Sequence, residues 1–307
     1  MAHELYSVVD RSRISQEEAR GNAWRENMQP LQVEAVAFDG RQLAGSIFLR
    51  IPAGNNWLIA VHGAFCTRAD VLGRGADFYG LGFNLLLVDS RGCGVSEGVQ
   101  TFGYFERFDV AAWIQKIIAM DPTAQIVLYG ISAGGAAVVM AAGDGLPPNV
   151  KCIVTDSMYS DIAAVGANIF EEASTPLLKF AACCRGLPKW RIFRKAAEDS
   201  RKHTDKSATC SRLEASLFAV GRWLAAAESN PSFSPVTQLV KSETPILIIQ
   251  GEQDAVTSVQ SARAIYTAAA GPKELWVVPL AGHNEAYETN REEYVRRFAE
   301  FTSRYVG

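Results

Sequence analysis

The sequence is short of histidine and has no excess of charge of either sign. Only four of its 307 residues are histidine, and 30 Lys and Arg side chains nearly balance 33 Asp and Glu. A chain with this balance lacks the basic footprint of a nucleic-acid-binding protein, so no nucleic-acid partner is expected. Any chemistry that needs an imidazole must use His3, His62, His203 or His283.

Long hydrophobic runs are also missing. No apolar stretch approaches the roughly 18 residues that read as a membrane-spanning helix. The N-terminal residues 1–15 include acidic side chains and lack the continuous apolar region of a secretion signal. We therefore expect a soluble, cytoplasmic protein with no membrane span. At 48% hydrophobic residues, the chain can still bury a large core.

Cysteines at the spacing of a metal site are absent as well. The cysteines are Cys66, Cys93, Cys152, Cys183, Cys184 and Cys210. They show no C-x-x-C spacing and no nearby histidine pattern, so no zinc site is expected. Free thiols in a reducing compartment are the simplest interpretation, with Cys152 as a small core residue in an apolar run.

Short apolar runs recur from residue 57 to the C-terminus. They are WLIAV (57–61), NLLLVD (84–89), QIVLYG (125–130), VKCIVTD (150–156), PILIIQG (245–251) and ELWVVP (274–279). The runs are nearly continuous rather than alternating, which is typical of strands buried on both faces of a parallel sheet. Segments of helical length separate most of them. The pattern predicts an α/β protein with a doubly wound, mostly parallel sheet.

The chain divides into three predicted parts. Residues 1–31 are interpreted as an N-terminal helical segment, residues 32–157 and 244–307 as the α/β core, and residues 158–243 as an inserted helical cap. The cap is predicted because this stretch breaks the strand rhythm and is too long for a plain crossover. Near the start of the core, the turn pair Asp39 and Gly40 predicts a hairpin and hence an antiparallel sheet edge.

The segment GISAG, residues 130–134, lies between a predicted buried strand and a predicted helix. Gly130 and Gly134 flank Ser132 at the two positions where a side chain would collide with the neighbouring strand and helix. Such a motif arises by chance fairly often, but the strand–turn–helix context favours a nucleophile elbow that presents the Ser132 hydroxyl for reaction. The alternative is an ordinary connection made of small residues.

A reactive serine needs a base and a carboxylate. His283 follows the last predicted strand, so in a parallel sheet it emerges at the same edge as Ser132. Three carboxylates, Asp254, Asp156 and Glu252, follow neighbouring predicted strands. We favour Asp254, because GEQDAVT turns away from its strand end and places this residue over the sheet edge. Asp156, by contrast, stands where an aspartate often fixes a loop or a helix start.

The order Ser132, Asp254, His283, with a helical insertion before the acid, resembles the α/β-hydrolase superfamily over residues 32–307. VHGAFC at 61–66 is similar to that family's His-Gly motif. VDSRGCGVSEG at 88–98 is similar to the D-x-R-G-x-G-x-S segment of its serine-aminopeptidase-like and esterase subgroups. The resemblance implies an oxyanion hole made by the backbone N–H groups of Ala64 and Ala133.

Other residues of these two motifs receive no catalytic role from the resemblance. It implies that His62 is structural and that Arg91 and Ser96 stiffen a loop beside the site. In the cap, basic side chains crowd residues 185–206, which either attract an anion or form a solvated face; we favour the second. Trp190, Phe193, Phe218 and Trp223 line an acyl pocket or simply pack the cap helices.

The resemblance implies a serine hydrolase that cleaves a carboxylic ester or thioester through an acyl-enzyme intermediate. The substrate would be a small-molecule ester, thioester or amide, and no metal or organic cofactor is needed. A serine in this position disfavours dehalogenase and epoxide-hydrolase chemistry, which requires a carboxylate there. A peptidase or acyltransferase with the same triad stays open, as does a non-catalytic binding protein on the same scaffold.

Overall fold

A computed structural model describes residues 11–52, 54–162 and 234–307. Most of the predicted cap therefore lies outside the described residues, together with its basic stretch 185–206 and with Trp190, Phe193, Phe218 and Trp223. The same holds for His3, His203, Cys183, Cys184 and Cys210.

One sheet organises the described chain. Its strands are β1 (Leu31–Val36), β2 (Gln42–Phe48), β3 (Asn56–Val61), β4 (Asn84–Val88), β5 (Gln125–Ile131), β6 (Val150–Asp156), β7 (Ile246–Gly251) and β8 (Lys273–Val278). Their spatial order is β1-β2-β4-β3-β5-β6-β7-β8. The pairs β1–β2 and β2–β4 are antiparallel and all the others are parallel. The predicted mostly parallel sheet and its antiparallel hairpin edge are confirmed.

Helices flank the sheet. Those described are α1 (Arg11–Glu26), α2 (Leu72–Gly80), α3 (Glu106–Met120), α4 (Ala133–Gly143), α5 (Pro235–Leu239), α6 (Val259–Ala268), α7 (Ala286–Thr289) and α8 (Arg291–Thr302). None of them is both long enough and apolar enough to cross a membrane. The closing helix α8 buries Tyr294, Phe298 and Phe301 against the sheet, because spacings of four and three residues place them on one helical face.

Among the described residues, the core forms two apolar clusters, one on each face of the sheet. On β4, Leu85 and Leu87 pack into one cluster while Leu86 packs into the other. Successive side chains of a strand point to opposite faces, so a strand covered on both sides must be apolar at every position. This double burial is the physical reason for the near-continuous apolar runs of β3 to β7. The run ELWVVP differs from the prediction, because β8 lies at the edge of the sheet and is buried only at Trp276 and Val278.

Helix α1 docks closely on α2. A Cβ atom added to Gly73 would lie 2.3 Å from Glu17 Cγ and 2.7 Å from the Glu17 carbonyl oxygen. The close approach lets Arg74 Nη1 donate to Glu17 at 2.8 and 2.9 Å, and both side chains are buried. A buried pair that lost one partner would leave an uncompensated charge, so this contact ties the N-terminal helix to the core.

Gly73→Ala tests this close packing. We expect it to lower the free energy of unfolding by about 1–3 kcal/mol, because the new methyl group must displace backbone atoms of α1. Gly80 in the same helix is the matched control, since an added Cβ there has no neighbouring atom within 4 Å. Gly80→Ala should leave stability unchanged or raise it by up to about 1 kcal/mol. Equal denaturation midpoints for the two variants would contradict the packing described here.

Candidate active site

Strained backbone is concentrated at one edge of the sheet. The described non-glycine residues with left-handed backbone are Phe65, Phe102, Ser132, Ser157, Leu280 and Asn284, with φ between 51° and 62°. All of them lie in loops that follow the carboxyl ends of strands. Ligands of open α/β sheets bind at this edge, and residues held in strained conformations cluster at functional sites. This edge is therefore the candidate site.

Ser132 stands alone between β5 and α4, with φ 51° and ψ −115°. A Cβ at Gly130 would lie 2.5 Å from the Gly134 carbonyl oxygen, and one at Gly134 would lie 2.2 Å from the Val61 carbonyl oxygen. Real Cβ atoms do not tolerate such contacts, so both flanking positions require glycine. The structure thus contains the predicted strand–turn–helix connection, with Ser132 at its apex.

His283 and Asp254 meet at this edge. The His283 Nδ1 atom lies 2.9 Å from Asp254 Oδ2, and the Asp254 side chain is 0% exposed. The other two carboxylates are occupied elsewhere. Asp156 accepts hydrogen bonds from Tyr294 Oη at 2.9 Å and from Ser157 Oγ at 3.0 Å. Glu252 is exposed and accepts from the Leu280 N–H at 3.3 Å. Of the three candidates, Asp254 is the one that the structure brings to the imidazole.

Several donors surround the Asp254 carboxylate. Its Oδ1 accepts from the N–H groups of Val256 at 2.9 Å and Thr257 at 2.7 Å. Its Oδ2 lies 2.7 Å from Thr257 Oγ1 and 2.9 Å from Gln250 Nε2. Burial acts to raise the pKa of Asp254, but His283 and the Thr257 hydrogen bonds outweigh burial and hold this pKa below its usual value. The carboxylate is therefore ionised at neutral pH.

Thr257 and Gln250 are not among the residues singled out from the sequence. Gln250 carried a signal, because it is the one polar side chain in the apolar run ILIIQG and a buried polar group must find a partner. Thr257 gave no such signal in the sequence, since a threonine three residues after an aspartate is ordinary in a loop. Its role becomes visible only when the loop is folded over the carboxylate.

The loop that carries Ser132 is linked to the loop that carries His283 through the end of β6. The Ser132 N–H donates to the Asp156 carbonyl oxygen at 2.8 Å. The next residue, Ser157, accepts the Asn284 N–H on its Oγ at 3.0 Å. The Ser132 hydroxyl itself has no hydrogen-bond partner among the described residues. A general base must approach to about 3 Å, and this contact often tightens only when substrate binds.

Ala64 and Ala133 lie on either side of Ser132. A Cβ at Gly63 would be 3.5 Å from Ser132 Cβ, so the loop that contains Ala64 passes directly over the serine. Ala133 is the first residue of α4, where backbone N–H groups lack intrahelical partners. Within the described chain, neither the Ala64 nor the Ala133 N–H donates to another residue. Both groups are available to a negatively charged oxygen.

His62 is engaged by the backbone at both ring nitrogens. Its Nε2 lies 3.0 Å from the Ser90 N–H, so Nε2 must accept that bond. The proton is then on Nδ1, which donates to the Gly63 carbonyl oxygen at 2.7 Å. Burial lowers the pKa of His62, which keeps the ring neutral. The ring joins the loops after β3 and β4 and is not free to act as a base.

Arg91 and Ser96 also make internal contacts. The Arg91 Nε donates to Asp109 Oδ2 at 2.7 Å, and its guanidinium also pairs with Asp39 at 3.2 Å. Ser96 Oγ donates to the Asp89 carbonyl oxygen at 2.7 Å. These contacts stiffen the loop that follows β4.

The described part of the chain contains no group of three or more His, Cys, Asp or Glu side chains that could hold a metal ion. Of its cysteines, Cys93 and Cys152 are buried free thiols. Burial raises the pKa of both Cys93 and Cys152 to about 12, so neither forms a thiolate near neutral pH.

The strand order, the antiparallel edge and the loops gathered at the carboxyl edge are consistent with the α/β-hydrolase fold. A family model described as "Serine aminopeptidase, S33" matches residues 55–290, which is more than half of the chain. The chain therefore belongs to this family.

Two curated bacterial proteins are similar to the chain in sequence. A 31.7 kDa protein of the traX-finO intergenic region of Escherichia coli is 28% identical over 262 residues, covering 79% of this chain and 89% of that protein. The protein YqkD of Bacillus subtilis (strain 168) is 23% identical over 252 residues, covering 80% of this chain and 70% of that protein.

Solved structures share the fold at low sequence identity. The Pyrococcus furiosus esterase Pf2001 superimposes with a TM-score of 0.65 at 20% identity, covering 91% of this chain and 94% of that one. The esterase EaEST from Exiguobacterium antarcticum superimposes with a TM-score of 0.60 at 16% identity, covering 89% of this chain and 100% of that one. Identities this low establish a common fold and no more.

Thr257→Val tests the hydrogen bonds that keep Asp254 ionised. We expect the pKa of Asp254 to rise towards its ordinary value of about 3.9. Losing a hydrogen bond to a buried carboxylate should lower the free energy of unfolding at pH 7 by about 1–3 kcal/mol. NMR titration of the carboxyl carbon and denaturant unfolding measure the two effects.

The sign of the pH dependence follows from the lowered pKa. Asp254 stabilises the fold above its unfolded-state pKa, and this contribution disappears as pH falls through the folded-state value. In Thr257→Val the ionised Asp254 contributes less stability, so less is lost in acid. The free energy of unfolding of the variant should therefore approach that of the wild type as pH falls. Thr302→Val is the control, since the Thr302 hydroxyl is equally buried but donates to the Phe298 carbonyl oxygen within α8. A gap to wild type that is the same at pH 7 and pH 3 would argue against this role of Thr257.

Proposed function

We propose that the protein is a serine hydrolase that cleaves a small-molecule carboxylic ester or thioester through an acyl-enzyme intermediate. In this proposal Ser132 is the nucleophile, His283 the general base, and Asp254 the carboxylate that orients the imidazole. The observation that carries it is the 2.9 Å contact between His283 Nδ1 and the buried Asp254 carboxylate, at the same sheet edge as the strained Ser132 turn.

Asp254 determines which nitrogen of His283 can act as a base. An ionised carboxylate can only accept hydrogen bonds, so Nδ1 carries the hydrogen and Nε2 keeps its lone pair. Nε2 then takes the Ser132 proton as the hydroxyl oxygen attacks the substrate carbonyl carbon. The imidazolium that forms is stabilised by the negative charge of Asp254, which stays unprotonated throughout.

The backbone N–H groups of Ala64 and Ala133 would stabilise the negative oxygen of the tetrahedral intermediate, each contributing about 3 kcal/mol. His283 then returns the proton to the leaving alcohol or thiol, and the acyl group stays on Ser132. Water, activated by the same imidazole, attacks the acyl-enzyme and releases the acid. Atoms and charge balance without a metal or an organic cofactor.

Esters are proposed as the first substrate class because the structural neighbours Pf2001 and EaEST are named esterases. Peptide and amide bonds are the alternative substrates for the same three residues.

Ser132→Ala is the direct test. We expect turnover of p-nitrophenyl esters to fall by at least about 10³-fold and labelling by a fluorophosphonate probe to disappear, because no other described side chain occupies the apex of the turn. The thermal midpoint should stay near that of wild type. Ser46→Ala is the matched control, since Ser46 is a buried β2 serine that donates to Gln32 Oε1 at 3.1 Å.

Two results would contradict the proposal. Turnover retained in Ser132→Ala would mean a different nucleophile. A folded wild type that neither turns over esters nor accepts the probe would favour a binding protein. Esters of graded acyl length, with a matched thioester and amide, then separate esterase from peptidase activity.

Asp254→Asn probes the orientation of the imidazole. The amide has nearly the same shape but presents an N–H₂ group as well as an oxygen, so it can stabilise the wrong tautomer of His283 and cannot stabilise the imidazolium. We expect kcat to fall by up to about 10⁴-fold with little change in fold. Glu252→Gln, at the exposed alternative carboxylate, should keep wild-type kcat. If the two variants lost activity equally, the assignment of Asp254 would be wrong.

A further inference from the structure

Ser157 lies directly after β6, between the loops that carry the three proposed triad residues. Its side chain is completely buried, with 0% exposure, and its backbone is in the left-handed region at φ 55°. A non-glycine residue held in this conformation is maintained by its surroundings, because the conformation is costly by itself.

The polar groups of Ser157 reach two of the proposed triad loops. Its Oγ accepts the Asn284 N–H at 3.0 Å, one residue after His283. Its carbonyl oxygen lies 3.0 Å from Thr257 Oγ1, in the loop that holds Asp254. Its N–H donates to the Ile249 carbonyl oxygen on β7 at 3.0 Å.

Ser157 is also coupled to the third loop through the residue before it. The Asp156 carbonyl oxygen accepts the Ser132 N–H at 2.8 Å, and Ser157 Oγ donates to Asp156 Oδ1 at 3.0 Å. Residues 156 and 157 therefore contact the Ser132, Asp254 and His283 loops at once. The side-chain hydroxyl is the part of this junction that reaches the His283 loop.

Arg74 completes the restraint on that loop from the opposite side. Its Nη2 donates to the Asn284 carbonyl oxygen at 2.9 Å, and its other amino group is held by Glu17. Asn284, itself at φ 62°, is thus fixed at its N–H by Ser157 and at its carbonyl by Arg74. The backbone that carries the imidazole is anchored on one side while Asp254 holds the ring on the other.

We propose that Ser157 is a positioning residue for the reaction proposed above, and that its hydroxyl sets the distance between the His283 ring and Ser132. This inference rests on the proposed function. Ser157 contacts neither substrate nor the reacting atoms, and it acts through Asn284. Proton transfer is steeply sensitive to geometry, and a displacement of about 1 Å can cost about 10²-fold in rate.

Ser157→Ala and Ser157→Gly test this role together. Both remove the hydroxyl, but glycine adopts positive φ without strain, so the glycine variant should be the more stable of the two with respect to the backbone. We expect kcat for a p-nitrophenyl ester to fall by about 10- to 100-fold in both variants. KM should change by less than about threefold, since ground-state binding does not use this hydroxyl.

The rate of fluorophosphonate labelling provides a second readout on the same atoms. It should slow by a factor similar to that of kcat in both variants, because it also depends on His283 activating Ser132. Ser46→Ala serves again as the control, with wild-type kcat and labelling rate despite the loss of one buried hydroxyl. All rates are measured below the unfolding transition of each variant.

A purely structural role would give a different pattern. Activity would then follow stability, with the glycine variant near wild type and only thermal midpoints changed, and this result would overturn the inference. A raised KM with unchanged kcat would also overturn it, by assigning the hydroxyl to substrate binding. If the alanine variant fails to fold, a folded glycine variant with wild-type kcat is sufficient to reject the proposal.

The outcome is separable from that of the proposed function. If Ser132→Ala retains turnover, the proposed triad is rejected, whatever the Ser157 variants show. If Ser132→Ala loses turnover and both Ser157 variants keep full activity, the proposed triad stands and only the positioning role of Ser157 is rejected.

Discussion

A carboxylate removed from water takes up a proton unless its charge is compensated, and the candidate site depends on Asp254 remaining ionised. The side chain has no exposed surface, yet two backbone N–H groups, an amide, a threonine hydroxyl and the His283 ring all surround it. An ionised carboxylate can only accept a hydrogen bond, so it holds Nδ1 of His283 as the donor. The local hydrogen bonds around Asp254 thus act on an imidazole that another loop carries.

The site also depends on a rigid sheet that can maintain strained backbone. Ser132, Ser157 and Asn284 all have left-handed φ angles, which residues with side chains adopt at a cost. Ser132 and Ser157 follow β5 and β6, which are packed on both faces, so the sheet cannot relax to release them. Gly130 and Gly134 also help to hold the Ser132 turn, because they let β5, α4 and β3 approach closely around it.

The fold and part of the site could be predicted because their signals are local. Double burial of β4 and β7 produces continuous apolar runs, and the glycines of GISAG mark a turn too tight for other residues. His283 could be placed at the correct edge, since parallel strands all end on the same side. Asp254 and Asp156 are harder to separate from the sequence, because both follow central strands. In the structure Asp156 faces Arg74 and Tyr294, and Asp254 faces the imidazole, while the catalytic role of Asp254 stays a prediction.

By itself, the sequence determined the periodicity of strands and helices, the position of the turn at Ser132 and the set of polar residues at strand ends, because these depend on neighbours along the chain. Only the tertiary structure decided which of those residues meet. Glu17, Arg74 and Ser157 lie far apart in the sequence, yet Arg74 pairs with Glu17, and Arg74 and Ser157 both bind the backbone of Asn284. Contacts of this kind join residues from different loops, and their partners are chosen by the packing of the sheet rather than by any local pattern.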